Sequence, residues 1–179
     1  PEQLLECRTK IQEWLTKGVL ERVDPSRDPP GAEIFYSRLI VVPKRDGSLR
    51  PCLDARALNA QMGPQAPFKM EGLSTIVPLL RRGDACQSFD LADAYLHLPL
   101  APQSRPRTRF IFENRIYQFG AMIFGLNLAP ERFTRLIRGG PLRFLRRCAQ
   151  MTVVAYLDDF LVVLRGPQTA RSEERRVGK

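Results

Sequence analysis

"MTVVAYLDDFLVVL", residues 151–164, is two apolar runs parted by Asp158 and Asp159. Runs rich in Val, Leu and aromatic residues favour strands, and two of them with so short a gap predict a β-hairpin. The gap is chemically odd. Asn-Gly or Asp-Gly would turn the chain at lower cost, and adjacent carboxylates repel unless a cation sits beside them. An acid pair at a solvated hairpin tip is common in turns, so the pair alone decides nothing.

A second stretch changes the weighing. "FDLADAYLHL", residues 89–98, places Asp90 at the end of the alternating run "ACQSFDL", on the face opposite Phe89 and Leu91. An antiparallel sheet could bring Asp90 beside the hairpin tip. Carboxylates converging from separate elements supply the hard oxygen ligands that Mg²⁺ takes, leaving other positions for water and phosphates.

The remaining pattern is helix, hairpin, helix, strand, hairpin, helix, hairpin. Within residues 2–20, Leu4, Leu5, Ile11, Trp14 and Leu15 predict a helix with a stop at Gly18. "RLIVVPK" and "SLRPCLD" read as a hairpin turning at Asp46-Gly47, at a sheet edge because of Pro43. Residues 59–84 read as a loop with Pro64 and Pro67, then a short helix over 74–80. "RTRFIF" and "RIYQF" make a hairpin about Glu113-Asn114, with Arg105, Arg107 and Arg109 alternating along its first strand as a phosphate-tracking stripe or a solvated edge. "APERFTRLI" opens a helix near Pro130, and a second helical piece covers 142–149. Strands and helices mixed without βαβ alternation imply an α+β domain with an antiparallel sheet.

Composition narrows the partners. The 179 residues carry a net charge of +9 and are 44% hydrophobic, a basic excess that suits a polyanion such as nucleic acid. No apolar run is long enough to span a membrane, and no secretory signal opens the chain. Cys7, Cys52, Cys86 and Cys148 show no C-x-x-C spacing, so buried reduced thiols in an intracellular protein are expected. The chain opens at Pro1 and reads as a piece of a longer protein. "RSEERRVGK", residues 171–179, looks like the translation of a sequencing adapter or a disordered tail.

Taken together, "FDLADAYLHLPL", "FGLNLAPERF" (124–133), "AYLDDFLVV" and the upstream "LIVVPKRDGSLRPCLDARALN" (39–59) resemble the reverse transcriptases, in that family's order and approximate spacing. The resemblance runs from about Ile11 to Leu164. The stretch "FKMEGLSTI…LLRRGD…FDLADAYLHLPL" most resembles the tyrosine-recombinase (DIRS-type) retrotransposons, with Ty3-like elements and pararetroviruses as near alternatives.

The resemblance implies a right-hand polymerase palm with an antiparallel sheet, plus a fingers subdomain, the thumb missing. Fingers would comprise 1–84 and the hairpin 99–119; palm would comprise 85–98 and 120–170. It implies that Asp90, Asp158 and Asp159 hold two Mg²⁺ ions, with Mn²⁺ as a substitute and the Leu91 carbonyl assisting. Lys44 and Arg50 would meet the triphosphate. Asp93 and Ala94 would lie near it too, unless Asp93 merely caps a helix. Tyr95 would sit at the sugar and favour dNTPs over rNTPs. Phe124 stands where retroviral enzymes have glutamine, so a polar nucleotide contact is lost or replaced by packing. Asp54 and Arg56 would lie on the template side, or form a surface ion pair. Gly125 and Pro130 would serve the template and Tyr156 the primer end. Template, RNA or DNA, with primer and dNTPs are the implied partners, and thumb and RNase H are expected downstream in the parent. This piece alone is expected to bind nucleic acid weakly and polymerise little. The alternatives are a non-catalytic nucleic-acid-binding remnant and an RNA-templated RNA polymerase, the latter disfavoured by Tyr95.

Overall fold

A computed structural model describes residues 2–43, 47–65 and 67–165. In chain order its elements are α1 (Glu2–Thr16), β1 (Leu20–Arg22), β2 (Leu39–Pro43), β3 (Leu49–Leu53), α2 (Arg56–Gln61), α3 (Leu73–Ile76) and β4 (Ala85–Asp90). These are followed by β5 (Phe110–Phe112), β6 (Arg115–Phe119), α4 (Ala129–Gly139), α5 (Pro141–Arg147), β7 (Thr152–Tyr156) and β8 (Asp159–Leu164). The strands named above pair antiparallel. The mixed α+β class read from the sequence is the class observed. The chain forms two compact units, residues 1–66 with 93–130, and residues 67–92 with 131–179.

The first unit is built on the sheet β1-β6-β5. Cys7, Ile11 and Trp14 recur along one face of α1 and are buried, as helical spacing requires. Trp14 meets Phe119 edge-on at 5.1 Å, over a core that includes Leu20, Phe110 and Tyr117. The helix stops where expected, at Gly18 with φ +69°, the left-handed geometry glycine adopts without a Cβ clash. The β5–β6 hairpin turns on Glu113 (φ +48°) and Asn114 (φ +57°), the double positive φ of a type I′ turn. The β2–β3 ribbon pairs Leu39 with Leu53 through Pro43 with Leu49; its predicted Asp46 turn lies outside the described residues.

Three expectations, two of them in this unit, give way. Arg105 and Arg107 lie in a 3-10 helix, Pro102–Thr108, not in a strand, because Pro102 and Pro106 deny the ladder its amide donors. All three arginines are also occupied by acids: Arg105 with Glu21, Arg107 with Glu33, and Arg109, 1% exposed, with Asp28. The stripe is therefore a set of internal ion pairs. Residues 56–61, read partly as loop, form α2 with Leu58 buried beneath it. Nor are the cysteines uniformly buried: Cys7 is, whereas Cys86 and Cys148 are exposed, and all four are free thiols.

The second unit carries the sheet β4-β8-β7. Val153 and Val154 are 1% exposed, and Phe133, Ile137 and Leu142 from α4 and α5 are buried in the same unit. The "FKMEG" segment closes the outer edge of β7. Glu71, 6% exposed, accepts the Ala155 amide hydrogen at 3.1 Å and two bonds from Arg146 at 2.8 and 2.6 Å. Arg146 also donates to the Val153 carbonyl at 2.8 and 2.6 Å. Backbone groups that an outermost strand leaves unpaired are thus satisfied by one ion pair. Among the described residues no helix is long and apolar enough to cross a membrane.

Candidate active site

The ladder between β4 and β8 sets Phe89 opposite Phe160 and, one rung on, Asp90 opposite Asp159. Side chains alternate between sheet faces, so the rings share one face and the two carboxylates share the other. The rings stack at 5.1 Å with planes 3° apart. Directly opposed residues of an antiparallel pair have Cβ atoms about 4.5–5.5 Å apart, so Asp90 and Asp159 project from neighbouring positions on one face. Like charges opposed in this way destabilise a sheet, and both are solvent-exposed. The Leu91 amide donates to the Asp158 carbonyl at 2.9 Å, tying the end of β4 to the turn itself.

That turn has two residues, Leu157 and Asp158, between the paired Tyr156 and Asp159. Leu157 has φ +55°, a left-handed value that side-chain-bearing residues adopt at a cost. A strained turn of this type normally carries glycine. Here strain and charge repulsion coincide at one spot, which is the signature of a constrained site rather than of an optimised hairpin.

Among the described residues no three Asp, Glu, His or Cys side chains are gathered tightly enough to hold a metal as they stand. The donor set nonetheless suits a hard divalent cation: exposed carboxylate oxygens, two on one rung and Asp158 beside them, with no thiol or imidazole among them. Tyr156 flanks the turn, half exposed.

The other predicted residues belong to the first unit or to the start of α4. Asp93 has φ +52° and precedes the 3-10 helix Ala94–His97, but its side chain makes no capping bond. Instead Lys17 donates to it at 2.7 Å, so Asp93 stands at the N-cap position but does not cap the helix through its side chain. Ala94 is buried, and the Tyr95 ring packs against Phe124 at 4.9 Å. Asp54 and Arg56 bind each other through two side-chain bonds of 2.8 and 2.7 Å. Hydrogen bonds from the Arg56 side chain and amide hold the Asp54 carboxyl down at about 2. Arg50 is exposed on β3, Pro130 lies in the first turn of α4, and Lys44 falls outside the described residues.

Sequence reading missed Asn59. Its amide donates to the Gly125 carbonyl at 2.7 Å and its oxygen accepts from the Asn127 amide at 2.9 Å. One side chain thus clamps both sides of Leu126. Gly125 itself has φ +90°, and a Cβ there would lie 3.7 Å from Ala55, so backbone conformation rather than space selects glycine. The "ALN" ending of the upstream motif was the only available signal.

The sheet β4-β8-β7 thus sets an acidic turn beside a third carboxylate, in an α+β fold. Residues 42–177 match the family described as reverse transcriptase (RNA-dependent DNA polymerase), and the chain belongs to it. It is a reverse transcriptase domain of the kind found in retroelement and retroviral polyproteins. The chain is 28% identical over 160 residues to the Pol-related polyprotein of a mouse intracisternal A-particle, covering 85% of this chain and 17% of that protein. It is 26% identical over 163 residues to a Pol polyprotein from transposon 297 of Drosophila melanogaster, covering 88% and 14%. The enzymatic polyprotein of cauliflower mosaic virus is 27% identical over 143 residues, covering 80% and 20%. The chain therefore spans a fifth or less of these relatives. A foamy viral protease-reverse transcriptase, solved in complex with double-stranded DNA, superposes with a TM-score of 0.68 at 21% identity, covering 96% of this chain and 27% of that one.

Proposed function

We propose that this chain is the nucleotide-adding part of an RNA-directed DNA polymerase from a retrotransposon polyprotein. Its substrates would be a primer on an RNA or DNA template and dNTPs, joined by attack of the primer 3′-oxygen on the α-phosphorus with loss of pyrophosphate. The observation that carries the reading is the rung pairing Asp90 with Asp159 beside the strained Leu157-Asp158 turn. Asp90, Asp158 and Asp159, with the Leu91 carbonyl, are the residues to hold two Mg²⁺ ions, or Mn²⁺. Such ions activate the attacking hydroxyl and offset charge on the leaving group.

The other roles follow the family motifs. Lys44 and Arg50 would offset triphosphate charge, with Asp93 and Ala94 near the same group. The Tyr95 ring, backed by Phe124, would exclude a 2′-hydroxyl; packing here takes the place of the polar contact glutamine would make. The Asn59 clamp would keep Gly125 and the backbone beside it in place for the template. Asp54, Arg56 and Pro130 would act on the template side, and Tyr156 at the primer end. The sheet β4-β8-β7 would be palm, and the hairpins β2–β3 and β5–β6 fingers. Free thiols and a nucleic-acid substrate favour action inside the cell. The "FKMEGLSTI…LLRRGD" run favours a DIRS-type element, whose parent would add thumb, RNase H and a recombinase.

The test is Mg²⁺-dependent dNTP incorporation by the full-length parent protein. Asp158→Asn should lower it by about a hundredfold to a thousandfold, as loss of a charge-stabilising group does, with primer-template binding retained. A wild-type parent that binds primer-template but incorporates nothing would make the domain a non-catalytic remnant.

A further inference from the structure

The end of α1 carries an alternating chain of charge that reaches across the first unit. Lys10 donates to Glu13 at 2.8 Å, Lys17 to Glu13 at 2.6 Å, and Lys17 to Asp93, 76 positions further on, at 2.7 Å. Lys10, Glu13 and Lys17 share one helix face, where residues three and four apart are neighbours. Lys17 is therefore aimed before it meets Asp93.

Asp93 gives that contact its meaning. It holds φ +52° and ψ +38° without being glycine, and its side chain makes no bond to the helix it precedes. A backbone in this region persists only where the surroundings fix it, and the Asp93 carboxylate is fixed from outside its own segment by Lys17. The turn that Asp93 opens presents Ala94, 1% exposed, and Tyr95, whose ring rests on Phe124. There is also an electrostatic reason. A triphosphate is a polyanion, and an unpaired carboxylate on a turn that receives it would repel it.

We infer that Lys17 is a positioning residue for the incoming nucleotide: it cancels the Asp93 charge and fixes the turn bearing Ala94 and Tyr95. The inference rests on the polymerase reading proposed above and adds to it a residue far from every motif. Lys17 does not touch the nucleotide. Its effect falls on triphosphate affinity and on sugar discrimination, both through the turn. An ordinary surface ion pair would change neither.

Steady-state incorporation by the full-length parent on a primer-template with Mg²⁺ tests it. Lys17→Met should raise the dNTP KM roughly fivefold with kcat within about twofold, the pattern of lost ground-state binding, and should lower the preference for dNTP over rNTP. Lys17→Arg should restore both. In an Asp93→Asn background, where there is no carboxylate to cancel, Lys17→Met should change KM by less than about twofold, since coupled residues are non-additive. An unchanged KM in Lys17→Met, a fall in kcat at constant KM, or an equal effect in both backgrounds would overturn the inference while leaving the polymerase intact. A wild-type parent that incorporates no dNTP would instead remove the reading beneath it, and the inference with it.

Discussion

The sheet that carries the acidic turn has two outer strands, and they are treated oppositely. β7 is buried on its faces and closed along its edge: Arg146 takes the Val153 carbonyl, Glu71 takes the Ala155 amide, and the two side chains bind each other. β4 has all six residues exposed, and Phe89 leaves 47% of its surface to solvent. One strand leads into Leu157-Asp158 and the other supplies Asp90. The strained turn is anchored through its better-built neighbour, while Asp90 is held by the ladder to β8, the Leu91 amide bond to the turn and one aromatic stack. Strain at a site persists only where the surrounding structure over-determines it, and here the over-determination is one-sided.

The largest effect should follow from unlocking β7. Glu71→Ala leaves the Arg146 guanidinium without its carboxylate and the Ala155 amide without its acceptor. Removing one member of a buried pair costs about 3–5 kcal/mol, and Arg146, with 36% of its side chain exposed, can recover part of its hydration. We expect a loss of about 2–3 kcal/mol, read as a lower urea midpoint at unchanged slope. A midpoint within error of wild type would mean that β7 is held by its buried valines alone.

What was legible in the sequence depended on how local the cause was. The Glu113-Asn114 turn, the Gly18 stop and the β7–β8 hairpin were readable because turn chemistry and strand composition act within a few residues. The register of Asp90 against Asp159 was partly readable, since alternation fixes which face each acid takes once the strands pair. Glu71 with Arg146 was not: the partners lie 75 positions apart, and nothing local marks a carboxylate as an edge cap. The same holds for Asn59 on the 124–127 loop and for Lys17 on Asp93. The alternation of Arg105, Arg107 and Arg109 suggests a strand, but Pro102 and Pro106 among and before them decide for a 3-10 segment.

Acid should expose the same lock more gently. Burial pushes the Glu71 carboxyl upward, but hydrogen bonds from Arg146 and the Ala155 amide, with the charges of Arg146 and Arg138, outweigh it and hold it below its ordinary 4.5. A carboxyl depressed in the folded state contributes stability that is complete above its unfolded value and is lost as pH falls through its folded one. Wild type should therefore lose stability from about pH 4.5 downward more steeply than Glu71→Gln. Parallel pH profiles for the two proteins would assign the acid sensitivity to other carboxylates, such as Asp28 beside Arg109 or Glu13 beside Lys17, both of which are also depressed.

The smallest effect belongs to the open strand. A fully buried Phe→Ala costs about 3–5 kcal/mol, but Phe89 is half in water, its ring stacked on Phe160 across the ladder. Offset aromatic pairs contribute about 0.5–1.5 kcal/mol beyond burial, so Phe89→Ala should cost about 1–2 kcal/mol, less than the loss of Glu71. The ring stack sits on the rung next to Asp90, on the opposite face, and like charges opposed on one rung add no attraction of their own. Losing the stack should therefore loosen the Asp90 rung before it loosens the chain as a whole. Amide exchange at Asp90 and Leu91 should rise in Phe89→Ala while the amides of Val153 to Ala155 stay protected, since local opening follows local contacts. Equal acceleration at both edges would show that the sheet opens as one unit and that the asymmetry between β4 and β7 has no dynamic consequence.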